Sequence, residues 1–219
     1  MFITGNIIGD IIILAILIYS AILHEISHGL IADRLGDPTA RLAGRLSLNP
    51  LKHIDPYMSL LVPFFLIYFH SPVIFGAAKP VPVDPFNLRD GFKDTAIVSL
   101  AGPLTNIIIA IIGSILIHLF YPRLDLIQLA NTDLIGFILY TVVQINILLA
   151  IFNLIPIPPL DGSKVFALLL PEREAAIYLS LSSVGFIIIF FLLLFPIGGF
   201  SLGGLIFNLM TFSQKILGL

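Results

Sequence analysis

Five apolar runs dominate the chain, and each is close to the length of a helix that crosses a membrane. They lie at about 7–32, 95–120, 134–153, 176–195 and 199–217. A helix of about 20 apolar residues crosses a bilayer core of about 30 Å. The runs therefore predict an integral, multi-pass membrane protein.

The composition agrees with this class. Hydrophobic residues make up 58% of the chain and charged residues 11%, against roughly 25% charged in soluble domains. The net charge of −2 and the lack of a basic tract give no reason to expect a nucleic-acid partner. Because the chain has no cysteine, any transition metal must be held by His, Asp or Glu. The apolar N-terminus has no basic residue before it and no typical cleavage site, so we expect a retained span.

Two shorter segments complete the predicted fold. Tyr57 to Phe69 is apolar for only about thirteen residues and contains Pro63, which suits a re-entrant or half-membrane helix better than a full crossing. The proline-rich Val73 to Val83 should be extended, as an edge strand or a hairpin arm. The prediction is one all-α polytopic domain, 1–219, with about five full transmembrane helices, a core at about 7–170 and C-terminal helices at 175–219.

The first run contains the ionisable sequence His24-Glu25-Ile26-Ser27-His28. Ionisable groups within a membrane span are costly and therefore indicate a functional site. Residues four apart share one face of a helix, so His24 and His28 can bind one metal ion with Glu25 beside it. This HExxH spacing is typical of zinc metallopeptidases, in which the glutamate acts on water at the metal.

A catalytic zinc needs a third protein ligand, and Asp161 is the strongest candidate. It is a lone carboxylate after the proline-rich stretch that starts at Asn153, and prolines there must break the helix. Asp10 lies nearly four turns from His24, too far to share an ion. The alternative for Asp161 is an N-cap of a short helix at 162–170.

Basic residues indicate the orientation of the first span. None precedes it, whereas the loop that follows contains Arg34, Arg41, Arg45 and Lys52. By the positive-inside rule this loop is cytoplasmic, and the predicted metal site lies nearer that face. Asp161 can reach the histidines only if the segment Tyr57 to Phe69 returns to the face from which it started.

Two long motifs and three short ones resemble the site-2 protease family of intramembrane zinc metalloproteases. His24 to Gly29 matches the first motif of that family. Asn153 to Gly162 matches the second, Asn-x-x-Pro-x-Pro-x-x-Asp-Gly. The segments 44–50, 78–83 and 101–103 are similar to those of short members without PDZ or CBS domains. Asp84-Pro85 departs slightly from the Asn-Pro that related chains often have.

The resemblance implies one Zn²⁺ per chain, bound by His24, His28 and Asp161, with Glu25 as general base and later general acid. The substrates would be transmembrane helices of other proteins in the cell membrane. Asn153 would bind the substrate backbone or the oxyanion, or would equally satisfy backbone groups freed by the prolines. The stretch Val73 to Val83 would accept an unwound substrate as an added strand, or serve only as a structural loop.

Two other functions remain open at this level, namely a zinc or proton-coupled transporter and a catalytically silent membrane scaffold. Polar groups concentrated near one face argue against a transport pathway, and the joint presence of all the candidate site residues argues against a silent scaffold. The other marked residues have simpler interpretations: interfacial histidines (His53, His70, His118), interhelical hydrogen-bond partners (Asn106, Gln144, Asn146) and glycines that allow close helix approach (Gly102, Gly113, Gly136).

Overall fold

The computed structural model describes residues 7–54, 79–124 and 126–219. Within these ranges the regular secondary structure is entirely helical. Two short 3-10 turns lie at Pro50–Lys52 and Pro85–Asn87. The α-helices are α1 (Ile7–Leu35), α2 (Thr39–Leu42), α3 (Gly91–Phe120), α4 (Leu126–Thr132), α5 (Leu134–Leu154), α6 (Asp161–Ala167), α7 (Glu172–Ser180), α8 (Ser182–Leu194) and α9 (Leu202–Ile216).

Three of these helices are long and apolar enough to cross a bilayer, namely α1, α3 and α5, with 29, 30 and 21 residues. Helices α7 and α8 pass the same test only as a pair, and they are bent by 66°. Helix α9 has 15 residues. The all-helical membrane character is therefore confirmed for the described residues, but five full spans are not. The predicted re-entrant segment Tyr57 to Phe69 lies outside the described residues.

Helix α3 is central, because it packs against both α1 and α5. Ala110 and Ile117 of α3 meet Val143 and Ile147 of α5 in a buried apolar cluster. A Cβ atom on Gly113 would lie only 2.7 Å from Val143 Cγ2, so this glycine does allow close helix approach. The outward faces of α1 and α3 remain apolar and exposed, as expected for surfaces that contact lipid.

The link between α3 and α5 is not a plain loop. It contains helix α4, whose Leu129 is fully buried. Asp133 caps α5, since its carboxylate accepts hydrogen bonds from the Gly136 N–H at 2.7 Å and the Tyr121 hydroxyl at 2.8 Å. The hydrogen bond from the Gly136 N–H has the larger effect on the Asp133 carboxylate, and the bond from the Tyr121 hydroxyl follows. Together they hold the pKa of Asp133 below its ordinary value.

Residues on either side of the segment 55–78 lie together. The Lys79 N–H donates to the carbonyl of His53 at 2.8 Å. Both flanks therefore sit at the same end of the bundle, which is the condition for Asp161 to reach the histidines. The path between the flanks lies outside the described residues.

Candidate metal centre

Helix α1 presents the two predicted histidines on one face. His24 and His28 are buried, with 6% and 8% of their surface exposed, and their Nε2 atoms lie 3.1 Å apart. The imidazole rings meet edge to face at an interplanar angle of 86°. Four residues make about one helical turn, so this face-sharing follows directly from the helix.

Asp161 completes the cluster from the other end of the sequence. Its Oδ2 lies 3.2 Å from His24 Nε2 and 3.1 Å from His28 Nε2. The other carboxylate oxygen accepts from Lys164 at 3.4 Å. Asp161 is the first residue of α6 and Leu160 occupies the N-cap position, so the alternative of Asp161 as an N-cap is wrong.

Backbone geometry explains why a glycine follows Asp161. A Cβ atom on Gly162 would lie 2.2 Å from the Leu154 carbonyl oxygen at the end of α5. The prolines between the two helices end α5, and the chain turns so that α6 starts against it. The Asp-Gly pair thus combines a ligand-type side chain with the close backbone approach that directs it toward α1.

The donor set fits a tetrahedral divalent metal. In a zinc site with bonds of about 2.0–2.1 Å, ligand atoms lie about 3.3 Å apart. The three atoms here are separated by 3.1–3.2 Å. Acceptor atoms at such distances repel one another unless a cation or a proton lies between them. Within the described residues, His24, His28 and Asp161 are the group that could hold a metal ion.

Each imidazole is also held through its far nitrogen. His24 Nδ1 lies 2.6 Å from the side-chain oxygen of Asn106 on α3, and His28 Nδ1 lies 2.7 Å from the carbonyl of Val98. Such partners orient metal-binding histidines. Asn106 is an interhelical hydrogen-bond partner as predicted, but sequence reasoning missed that it holds a site histidine. The available signal was its position one turn after Gly102 in an apolar span.

Gly102 provides the space for the two imidazoles. A Cβ atom there would lie 2.5 Å from His24 Nε2 and from His28 Nε2. We therefore expect Gly102→Ala to displace the imidazoles, to weaken zinc binding and to cost about 1–3 kcal/mol of stability through overpacking. Zinc titration against a competing chelator, together with thermal unfolding, measures both effects.

A matched control for Gly102→Ala lies on the same helix. A Cβ atom on Gly91 would meet nothing within 4 Å, so Gly91→Ala should bind zinc as the wild type does. Equal zinc affinities for all three proteins would contradict the steric role of Gly102.

Glu25 is half-buried beside the cluster and contacts the segment 79–84. Its Oε2 accepts a hydrogen bond from the Val81 N–H at 2.8 Å. Val81 reaches α1 at Gly29, where a Cβ atom would lie 2.9 Å from Val81 Cγ1. The segment 79–84 thus covers the glutamate, and one backbone N–H in it is already engaged by the site.

Two buried charged side chains hold the segment 79–84 in place. The Arg45 guanidinium donates to the carbonyl of Lys79 at 2.7 Å. The fully buried Asp37 accepts from the Asp84 N–H at 2.7 Å. Burial acts to raise the pKa of Asp37, but hydrogen bonds from Thr39 and the Asp84 N–H outweigh it and hold that pKa below its ordinary value. The segment has no regular secondary structure, and Val73 to Ala78 lie outside the described residues.

The side chains of the remaining candidate residues each contact a nearby backbone carbonyl. Asn153 stands near the end of α5, where its side chain donates to the Leu149 carbonyl at 3.0 Å, and its role toward an oxyanion stays a prediction. His53 is buried and contacts the Ser47 carbonyl at 2.8 Å. His118 lies near the end of α3 and contacts the Ser114 carbonyl.

A bundle of membrane-length helices with a buried His–His–Asp cluster and an adjacent glutamate defines the class of membrane-embedded metallopeptidases. Comparison with known proteins agrees. The model of peptidase family M50 matches residues 124–196, which include Asp161. No solved structure matches.

Three relatives are named as zinc metalloproteases. YwhC of Bacillus subtilis is 35% identical over 187 residues, which cover 85% of this chain and 81% of the relative. Rip2 of Mycolicibacterium smegmatis is 31% identical over 187 residues, covering 85% and 68%. MJ0611 of Methanocaldococcus jannaschii is 34% identical over 111 residues, covering 50% and 51%. This chain belongs to peptidase family M50, the site-2 protease family, and is a metalloprotease.

Proposed function

We propose that the protein is an intramembrane zinc metalloprotease that hydrolyses a peptide bond within or near transmembrane helices of other membrane proteins. One Zn²⁺ per chain would be held by His24, His28 and Asp161. The observation that carries this proposal is the position of Asp161 Oδ2, within 3.2 Å of both Nε2 atoms. Asp161 and His24 are 137 residues apart in the sequence. Buried acceptor atoms this close together are stable only with a cation or a proton between them.

Glu25 is the proposed proton carrier. When bound, Zn²⁺ would polarise the scissile carbonyl and acidify the attacking water. Glu25 takes the proton from that water and returns it to the leaving amine. The Val81 N–H binds one carboxylate oxygen of Glu25, which orients the carboxylate and leaves the other oxygen for the proton transfer.

The substrate has to unwind before it can react, because a helix buries its peptide carbonyls in internal hydrogen bonds. Substrate helices with Gly or Pro near the cut should be favoured, since their helical state is weaker. The stretch Val73 to Val83 is the proposed acceptor of the unwound strand, which would require the Val81 N–H to leave Glu25 or the strand to pair beside it. Asn153 is the proposed contact to the substrate backbone or the oxyanion.

The proposed setting is a cell membrane, with the metal centre nearer the cytoplasmic face. Basic residues in the last turn of α1 and beyond it, such as Arg34 and Arg41, support this orientation through the positive-inside rule. The proposed partners are transmembrane protein substrates and the lipid bilayer itself. Membership in a peptidase family favours the enzyme over a transporter or a silent scaffold.

Metal removal tests this proposal. The protein is reconstituted in liposomes with a panel of single-span substrates, and cleavage is followed before and after dialysis against a chelator. We expect dialysis to abolish cleavage and added Zn²⁺ to restore it, because the proposed chemistry needs a Lewis acid. A protein dialysed without chelator serves as the control, and cleavage that persists in metal-free protein would exclude the proposed mechanism.

A further inference from the structure

A chain of buried hydrogen bonds leads away from His24 and crosses all three long helices. Asn106 of α3 contacts His24 Nδ1 at 2.6 Å and donates to the side-chain oxygen of Asn146 on α5 at 2.8 Å. Asn146 donates to the hydroxyl of Ser20 on α1 at 2.9 Å and to the carbonyl of Val142 at 2.8 Å. Asn106 and Asn146 are both completely buried, and Ser20 is 5% exposed.

The acceptor at the far end of this series of hydrogen bonds fixes the orientation of both amide side chains. The Val142 carbonyl can only accept a hydrogen bond, so Asn146 must present its NH₂ group there. The side-chain oxygen of Asn146 then faces Asn106, which must in turn present its own NH₂ group. The oxygen of Asn106 is left facing His24 Nδ1. That nitrogen must therefore carry a proton, since two acceptor atoms at 2.6 Å would repel each other.

We propose that Asn106 and Asn146 are positioning residues that select the tautomer of His24, so that Nδ1 is protonated and the lone pair of Nε2 faces the position between His28 and Asp161. The inference rests on the proposed function in one respect, namely that it assigns Nε2 to the metal. In a neutral imidazole one nitrogen is a donor and the other an acceptor. The Val142 carbonyl on α5, three hydrogen bonds away from His24, thus decides which His24 nitrogen is free to bind a metal ion.

The two histidines reach the same state by different routes. His28 Nδ1 lies against the Val98 carbonyl itself, an obligate acceptor. His24 has no such carbonyl among its contacts in the described part of the chain, and it faces an amide, which can present either end. The second amide and the Val142 carbonyl remove that ambiguity. The tautomer of His24 should therefore depend on Asn146, although the hydrogen bonds between them run through Asn106.

The test uses the full-length protein in detergent, with ¹⁵N-labelled histidine. In zinc-free wild type at alkaline pH, where imidazole is neutral, the ¹⁵N shifts of His24 should show a single Nδ1–H tautomer. Replacement of His24 by Asn assigns its signals. In Asn146→Leu we expect mixed tautomers, and a zinc affinity about 10–100-fold lower, the usual effect of losing an outer partner of a metal ligand.

A rescue variant separates positioning from simple packing. An aspartate at position 106 needs no orienting partner, because both carboxylate oxygens accept. Asn106→Asp combined with Asn146→Leu should therefore restore the Nδ1–H tautomer and most of the zinc affinity. Failure of the double variant to recover either quantity would overturn the proposal. If Asn146→Leu does not fold, the same comparison is made with Asn146→Ser.

The chain also offers a matched control. Gln144 is another buried polar residue of α5, with 4% of its surface exposed. Its side-chain oxygen accepts a hydrogen bond from Gln214 at 2.8 Å, which is separate from the series of hydrogen bonds that leads to His24. Gln144→Leu should reduce stability and leave both the His24 tautomer and the zinc affinity unchanged. Equal zinc affinities for Gln144→Leu and Asn146→Leu, with the tautomer unaltered in both, would overturn the proposal. Wild-type protein that binds no zinc would refute the proposed function instead. The ¹⁵N shifts of His24 would still decide whether Asn106 and Asn146 select its tautomer.

Discussion

Glu25→Gln is expected to lower the cleavage rate by about 10²–10⁴-fold, the usual contribution of a general acid–base residue. The substitution preserves the shape of the side chain, and the glutamine oxygen can still accept the Val81 N–H hydrogen bond seen at 2.8 Å. An amide, however, cannot take a proton from water. Zinc should remain bound, because the three proposed ligands are intact. Initial cleavage rates in liposomes and metal analysis of the same preparations measure the two quantities.

The control for Glu25→Gln is another carboxylate of the same helix. Asp33 pairs with Arg41 at 3.2 Å, away from the cluster, so Asp33→Asn should cleave at close to the wild-type rate. Unaltered cleavage by Glu25→Gln would remove Glu25 from the mechanism. A Glu25→Gln protein that has lost its zinc would show that the glutamate supports the metal site, and the rate loss would then say nothing about proton transfer.

Asp161→Ala is expected to abolish cleavage together with zinc binding. The substitution removes the third proposed ligand and leaves two imidazoles whose Nε2 atoms are 3.1 Å apart. Loss of a direct ligand should exceed the effect of losing an outer partner, so we expect a fall in zinc affinity of more than about 100-fold. Chelator competition measures the affinity, and cleavage of the substrate panel measures the activity.

A suitable control for Asp161→Ala is Glu172→Ala, which removes an exposed carboxylate from the first turn of α7. This variant should retain zinc and activity. Stoichiometric, tightly bound zinc in Asp161→Ala would exclude Asp161 as the third ligand. Retained zinc with lost cleavage would instead indicate that Asp161 acts on the substrate.

The membrane spans show where apolarity alone predicts a fold and where it does not. Runs at 95–120 and 134–153 predict α3 and α5 well, because a long apolar segment in a bilayer has few alternatives to a straight helix. The run at 176–195 instead includes a bend of 66° between α7 and α8. Close packing accompanies this bend: a Cβ atom on Gly185 of α8 would lie 1.7 Å from the Pro158 carbonyl oxygen. Apolarity indicates that a segment prefers lipid or a protein core, but it does not indicate whether the segment forms a straight helix or a bent one.

The polar residues within the spans show a similar limit. Asn106 and Asn146 could be predicted to hydrogen-bond between helices, because an unsatisfied amide is costly in a membrane. The sequence does not predict, however, that the two asparagines bind each other and that Asn106 contacts His24. That connection depends on the distances at which α1, α3 and α5 approach one another, and a pattern along one chain does not contain those distances.

The sequence by itself determined the membrane class and the pairing of His24 with His28, because the i, i+4 relation is a property of any α-helix. It also singled out Asp161 by composition, as a lone carboxylate after a proline-rich break. Only the tertiary structure decided that Asp161 approaches both imidazoles within 3.2 Å and that Asn106 holds one of them. Those contacts join residues far apart in sequence, and helix packing, rather than any local periodicity, sets their geometry.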